Sequence, residues 1–66
     1  MILLVNGVEA TFALGATVAD ILDAHQVPRR GVAVARNDTV VRVAEYASTV
    51  CSEGDRIEII RAVAGG

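Results

Sequence analysis

The sequence contains no tryptophan, its six basic residues are all arginine, and Phe12 and Tyr46 are its only aromatic residues. So few rings leave no stacking platform of the kind that holds single-stranded nucleic acid. Acids outnumber bases, and a net charge of −2 gives a polyanion no electrostatic footing. The lone Cys51 excludes an internal disulfide, and no second cysteine or suitably spaced histidine joins it in a zinc site. No apolar run is long enough to span a bilayer and no signal peptide is evident, so the cytoplasm is the expected compartment. At 66 residues the chain has room for one domain, 1–66, and not for two cores. Its apolar share of 53% suits a packed core and is too high for a disordered segment.

The clearest local signal is Asn6-Gly7 between two apolar runs, the preferred two-residue hairpin turn because both positions take positive φ. That turn predicts Val5 opposite Val8, Leu3 opposite Ala10 and Met1 opposite Phe12, with Ile2 and Leu4 on the other face beside Thr11 and Glu9. After Gly15 the period changes. Thr17 is a good N-cap and Asp20 completes a capping-box-like pair, while Val18, Ile21 and Leu22 form one helical stripe. Pro28 restricts Val27 to extended geometry, which predicts a helix end near Gln26. The stretch from Gly31 to Asn37 reads as a third strand, and Asn37-Asp38 turns it into a short fourth, Thr39 to Arg42. Residues 44–53 show no period and read as a loop or a turn of helix. Gly54-Asp55 then launches a last strand in which Ile57 and Ile59 alternate with Arg56 and Glu58.

The chain closes on Arg61-Ala62-Val63-Ala64-Gly65-Gly66, and glycine is a poor last residue for a strand. A frayed end is the plain alternative. The pattern as a whole, an α+β order of hairpin, helix and further strands ending in "EGDRIEIIRAVAGG", resembles the ubiquitin-like β-grasp family. More narrowly it resembles the ThiS-type sulfur carriers of thiamine biosynthesis, relatives of the small subunit of molybdopterin synthase. The resemblance spans Met1 to Gly66 and rests on the Asn6 turn, the Gly15–Thr17 helix entry, the Gly54-Asp55 turn and the final Gly65-Gly66. One stretch departs from the pattern: Val41-Arg42-Val43 stands where many relatives have V-P-R, and Tyr46 stands at a tryptophan position.

The resemblance implies a four- to five-stranded mixed sheet with one main helix across one face, and residues 64–66 as a flexible tail. It implies a carrier and not an enzyme. An E1-like adenylyltransferase, using ATP and magnesium, would activate the Gly66 carboxylate. A persulfide sulfur donor would convert it to a thiocarboxylate, and thiazole synthase would receive the sulfur. The carrier itself would bind no cofactor or metal and supply no catalytic side chain, because the reacting atom belongs to its backbone terminus. Ala64 and Gly65 would form a slender tail able to enter a narrow channel. If the last strand lies beside the first, as the family order implies, Ile60 and Ala62 share the outer face with Ile2 and Leu4. Together they would make an apolar partner-binding patch leading to the tail.

Other residues read as structural. Cys51 is expected to be a small buried hydrophobe, His25 a helix-end residue, and Asp23, Arg29 and Arg30 solvated surface. Arg42, Arg56 and Arg61 read as surface charge that could also steer an acidic partner. Three other functions share much of this pattern. They are a ubiquitin-like protein modifier, a sulfur carrier for molybdopterin or another sulfur metabolite, and a plain β-grasp binding module.

Overall fold

Asn6 and Gly7 take φ values of 50° and 81°, so the hairpin turn forms as the sequence predicts, joining β1 (Ile2–Val5) to β2 (Val8–Thr11). Its register is Val5 opposite Val8 and Leu3 opposite Ala10. Met1 and Phe12 extend the pairing through reciprocal backbone hydrogen bonds of 2.7 and 2.9 Å. This computed structural model describes residues 1–61. Ala62, Ala64, Gly65 and Gly66, and with them the expected tail at 64–66, lie outside the described residues.

The helix α1 (Val18–Ala24) starts on a complete capping box: Thr17 Oγ1 accepts from the Asp20 amide, and an Asp20 carboxylate oxygen accepts from the Thr17 amide at 2.9 Å. It is shorter than Pro28 alone predicts, with His25 as C-cap. The reason is a Schellman ending, in which Val27 donates to Leu22 O and Gln26 donates to Asp23 O. That motif needs a left-handed residue, and Gln26 fills the place at φ 56°. A left-handed glutamine carries no local sequence signal, so the proline was the visible marker and the true stop lay before it.

Strand β3 (Val32–Arg36) turns through Asn37 and Asp38, both at positive φ, into β4 (Thr39–Val41). A single 3₁₀ turn follows at Val43–Glu45, and β5 (Arg56–Arg61) closes the described chain. The sheet order is β2-β1-β5-β3-β4, with β5 parallel to β1 and the other pairs antiparallel. This is the α+β, β-grasp architecture the resemblance implies: a five-stranded mixed sheet with one helix across one face.

Alternation along the strands divides the sheet. Leu3, Val5, Val34, Val41 and Ile57 face the helix and are buried with Val18, Ile21 and Leu22. Tyr46 and Cys51, from the aperiodic loop, complete that cluster. The loop is tied to the start of α1 by hydrogen bonds from Val18 to Thr49 O and from Ala19 to Tyr46 O. Those bonds occupy first-turn amides that a helix would otherwise present to an anion. Among the described residues no helix is long and apolar enough to cross a membrane.

Candidate functional site

Of the residues the sequence assigns to function, Ile2 and Leu4 lie on β1 and Ile60 on β5, the strand after which the chain continues to Gly66. Strand β5 occupies the centre of the sheet, with β1 on one edge and β3 on the other. On the β3 side the pairing runs as far as Arg61 opposite Val32. On the β1 side it runs only to Ile57 opposite Val5, since the chain turns away at Asn6. There the Asn6 side chain continues the pairing. Its Oδ1 accepts the Ile59 amide at 2.7 Å and its Nδ2 donates to Ile59 O at 3.3 Å. Two grooves adjoin this point, one of about 390 Å³ beside Leu4, Arg56 and Glu58, and one of about 370 Å³ beside Val8, Val27 and Arg61.

The outer face holds the expected aliphatics. Ile2 is 46% and Ile60 60% exposed, with Leu4 half-buried between the strands. All three share one side of the sheet, but the register spreads them out. Leu4 stands level with Arg56, so Ile60 lies four residues further along β5, roughly 13 Å away at ~3.3 Å per residue. Arg56 and Glu58 occupy the same face between them. The neighbours of Ile60 are instead on β3, where Ala33 pairs with it directly, and Ala35 and Val40 pair next along the same face. The expected single patch is therefore two: Ile2 with Leu4 at one end, and Ile60 with Ala33 near the chain end.

Asp55, which the sequence marks only as a turn residue, is 6% exposed and anchors the start of β5. Its carboxylate accepts from Arg36 Nε at 2.7 Å, Asn37 Nδ2 at 2.9 Å and the Ser52 amide at 2.7 Å. Burial alone would raise its pKa. The hydrogen bonds from Asn37, Ser52 and Arg36, together with the charge of Arg36, outweigh burial and hold it below the ordinary carboxylate value. Asn37 also accepts the Arg56 amide at 2.9 Å, so the β3–β4 turn and the β5 entry are one unit.

Cys51 is buried, and burial pushes its thiol pKa up, with the nearby Asp55 charge adding to the rise. Such a thiol is a poor nucleophile. If the terminus carries sulfur as the resemblance implies, Cys51→Ala is expected to leave that loading unchanged, read by intact mass. Loss of loading in a folded variant would bring Cys51 into the chemistry. His25 stacks on Phe12 with centroids 6.0 Å apart, and its Nδ1 lies 3.0 Å from Ile21 O, a helix-end role as expected. Arg29 meets Asp23 at 3.5 Å and Arg56 meets Asp38 at 3.0 Å, both exposed pairs that contribute little. Among the described residues no three His, Cys, Asp or Glu side chains gather as a metal site.

Comparison with known proteins decides the family, since the ThiS family model matches residues 3–66, through both terminal glycines. The chain belongs to the ThiS family. A crystal structure of the thiamine biosynthesis protein ThiS from Geobacter metallireducens superposes over the whole of both chains, with a TM-score of 0.84 at 30% identity. A solution structure of a thiamine biosynthesis protein from the same organism gives 0.80 at 30% identity, covering all of this chain and 88% of the other. A protein named thiazole synthase from Paramagnetospirillum magneticum is 38% identical over 66 residues, and the chain spans about 20% of that protein's length.

Two parts of the site escaped sequence reasoning. The side-chain role of Asn6 was hidden behind its backbone role in the turn. The Arg36–Asp55–Asn37 cluster joins residues 18 and 19 positions apart, beyond any local period.

Proposed function

We propose that this ThiS-family chain is a sulfur carrier for thiazole formation in thiamine biosynthesis, with the Gly66 carboxylate as its working group. The observation that carries the reading is the extension of the family match through Gly65 and Gly66 on a β-grasp fold. The E1-like adenylyltransferase binds ATP and magnesium, and a Gly66 carboxylate oxygen attacks the α-phosphate as pyrophosphate leaves. A carboxylate is inert to sulfur nucleophiles, and the acyl adenylate supplies AMP as leaving group. The terminal sulfur of a partner persulfide attacks the carbonyl carbon and expels AMP, giving an acyl disulfide. A partner thiol then attacks the partner's own sulfur in that disulfide, which releases the thiocarboxylate and leaves the partner oxidised. Thiazole synthase takes the sulfur. A thiazole synthase containing a segment similar to this chain supports physical association of the two activities. Intact-mass measurement on protein isolated from its own cells tests the reading, which expects a sulfur-for-oxygen increment at the terminus. Conjugates on target lysines would point to a modifier instead.

Docking is assigned to the outer face of the sheet, through Ile2, Leu4 and Ile60, with Ala62 continuing the strand alternation in the sequence. Burying an aliphatic side chain at an interface is worth about 1.5–3 kcal/mol. Ile60→Asp is therefore expected to weaken binding to the adenylyltransferase about tenfold or more, and to do so more than Ile2→Asp, which lies at the far end of the face. The isolated domain should melt nearly unchanged, because Ile60 is 60% exposed. Unaltered affinity in titration would move the interface elsewhere.

A further inference from the structure

A parallel neighbour offers its backbone at regular intervals. Between β1 and β5 the Leu4 amide donates to Asp55 O at 2.9 Å and the Asn6 amide donates to Ile57 O at 2.8 Å. In a continuing ladder the next bonds would run from the Ile59 amide to the carbonyl of residue 6, and to Ile59 O from the amide of residue 8. The turn makes both impossible, because at φ 50° Asn6 leads the backbone away into β2. The Asn6 side chain supplies both partners instead, Oδ1 for the missing carbonyl and Nδ2 for the missing amide.

We infer that Asn6 is a positioning residue for the carrier's reactive end: its carboxamide stands in for the peptide group of an absent strand and fixes the end of β5, from which the chain continues towards Gly66. This rests on the sulfur-carrier reading above. The choice of residue supports it. Asparagine, aspartate and glycine are the residues most at ease at positive φ, and only asparagine offers an acceptor and a donor together. A hairpin alone is served as well by Asp-Gly or Gly-Gly. The clamp also acts where it has most leverage. Arg61, two residues beyond Ile59, is the last described residue and pairs with Val32 of β3, so this end of β5 is held on one edge by Val32 and on the other by Asn6. A partner that docks on the sheet then receives the tail from a fixed origin.

The test compares Asn6→Gly with Asn6→Asp in the full chain. Glycine keeps the turn and removes the clamp, whereas aspartate keeps the turn and the shorter 2.7 Å bond to the Ile59 amide. Amide hydrogen exchange followed by NMR is expected to show Ile59 exchanging at least about tenfold faster in Asn6→Gly, with Ile57 unchanged. In Asn6→Asp, which keeps the acceptor and loses the donor to Ile59 O, its rate should lie between that variant and wild type. With the cognate E1-like adenylyltransferase, ATP and magnesium, pyrophosphate exchange should show kcat about tenfold lower in Asn6→Gly. The KM for the chain should stay within about twofold, and Asn6→Asp, which keeps one of the two bonds, should restore part of the rate. A raised KM at constant kcat, or full activity after Ile59 protection is lost, overturns the positioning role. Unchanged Ile59 protection in Asn6→Gly overturns the clamp itself. A wild-type chain that supports no exchange overturns the carrier reading instead, and the Ile59 measurement stands apart from it.

Discussion

A chain lacking only Gly66 is expected to lose ATP–pyrophosphate exchange completely and to melt as the full chain does, and a chain with one residue added after Gly66 should behave alike. The two halves of this expectation have separate causes. The melt is unchanged because the buried cluster is assembled from residues between Leu3 and Ile57, with Ile59 packed on its edge. Activity is expected to be lost because, under the proposed function, adenylation needs a carboxylate at one position. The five residues from Ala62 to Gly66 span at most roughly 17 Å when extended, measured from an origin on the sheet. Removing one residue draws the carboxylate back by about 3.3 Å, the spacing of one extended residue. That is far beyond the tolerance of a reacting pair, where a misplacement of about 1 Å can cost a hundredfold. Adding a residue converts the Gly66 carboxylate into an amide and moves the terminal carboxylate about 3.3 Å further on. Turnover of the extended chain at the wild-type rate would refute Gly66 as the reacting residue.

The sequence reads well where a residue's local neighbours decide its geometry. Asn6-Gly7 and Asn37-Asp38 set two hairpins because positive φ is a property of the residue itself. Thr17 and Asp20 mark a helix start because the capping box closes within four residues. The parallel pairing of β5 with β1 came from the family likeness alone, since contact between residues more than 50 positions apart leaves no trace in periodicity. The same separation hid the side chain of Asn6, whose bonds to Ile59 span 53 positions. For the outer aliphatics, alternation gave the correct face, and the β1–β5 register, invisible in either strand alone, set Ile60 apart from Ile2 and Leu4. Gln26 shows the converse limit, because a residue without turn preference takes the left-handed place that the bond from Val27 to Leu22 O requires.

Asp55→Asn is expected to cost about 2 kcal/mol at neutral pH, the largest loss of stability among the substitutions considered. The carboxylate accepts three donors from Arg36, Asn37 and Ser52, and it is nearly enclosed. An asparagine of the same shape turns one acceptor into a donor, so two donors meet and a hydrogen bond is lost in a place water reaches poorly. Arg36 also loses its ion-pair partner at 2.7 Å. For a domain this small, 2 kcal/mol should lower Tm by about 8–16 °C. The pH dependence supplies a second signature. The folded pKa of Asp55 lies below its ordinary 3.8, so the unfolded chain takes up its proton first as the solution is acidified. Its stabilisation is therefore full well above pH 3.8, begins to fall as pH approaches that value, and is lost as pH drops through the folded pKa. Asp55→Asn should flatten the stability–pH slope in that acid window while lowering stability above it. Because Ser52, Asp55 and Asn37 together set the entry of β5, the variant should also loosen the strand that leads to Gly66, with faster amide exchange at Arg56, whose amide bonds to Asn37. Melts of both proteins from pH 3 to 7 decide the matter: parallel curves would show that Asp55 carries no linked proton, and equal Tm values at neutral pH would show that the network contributes nothing to the fold.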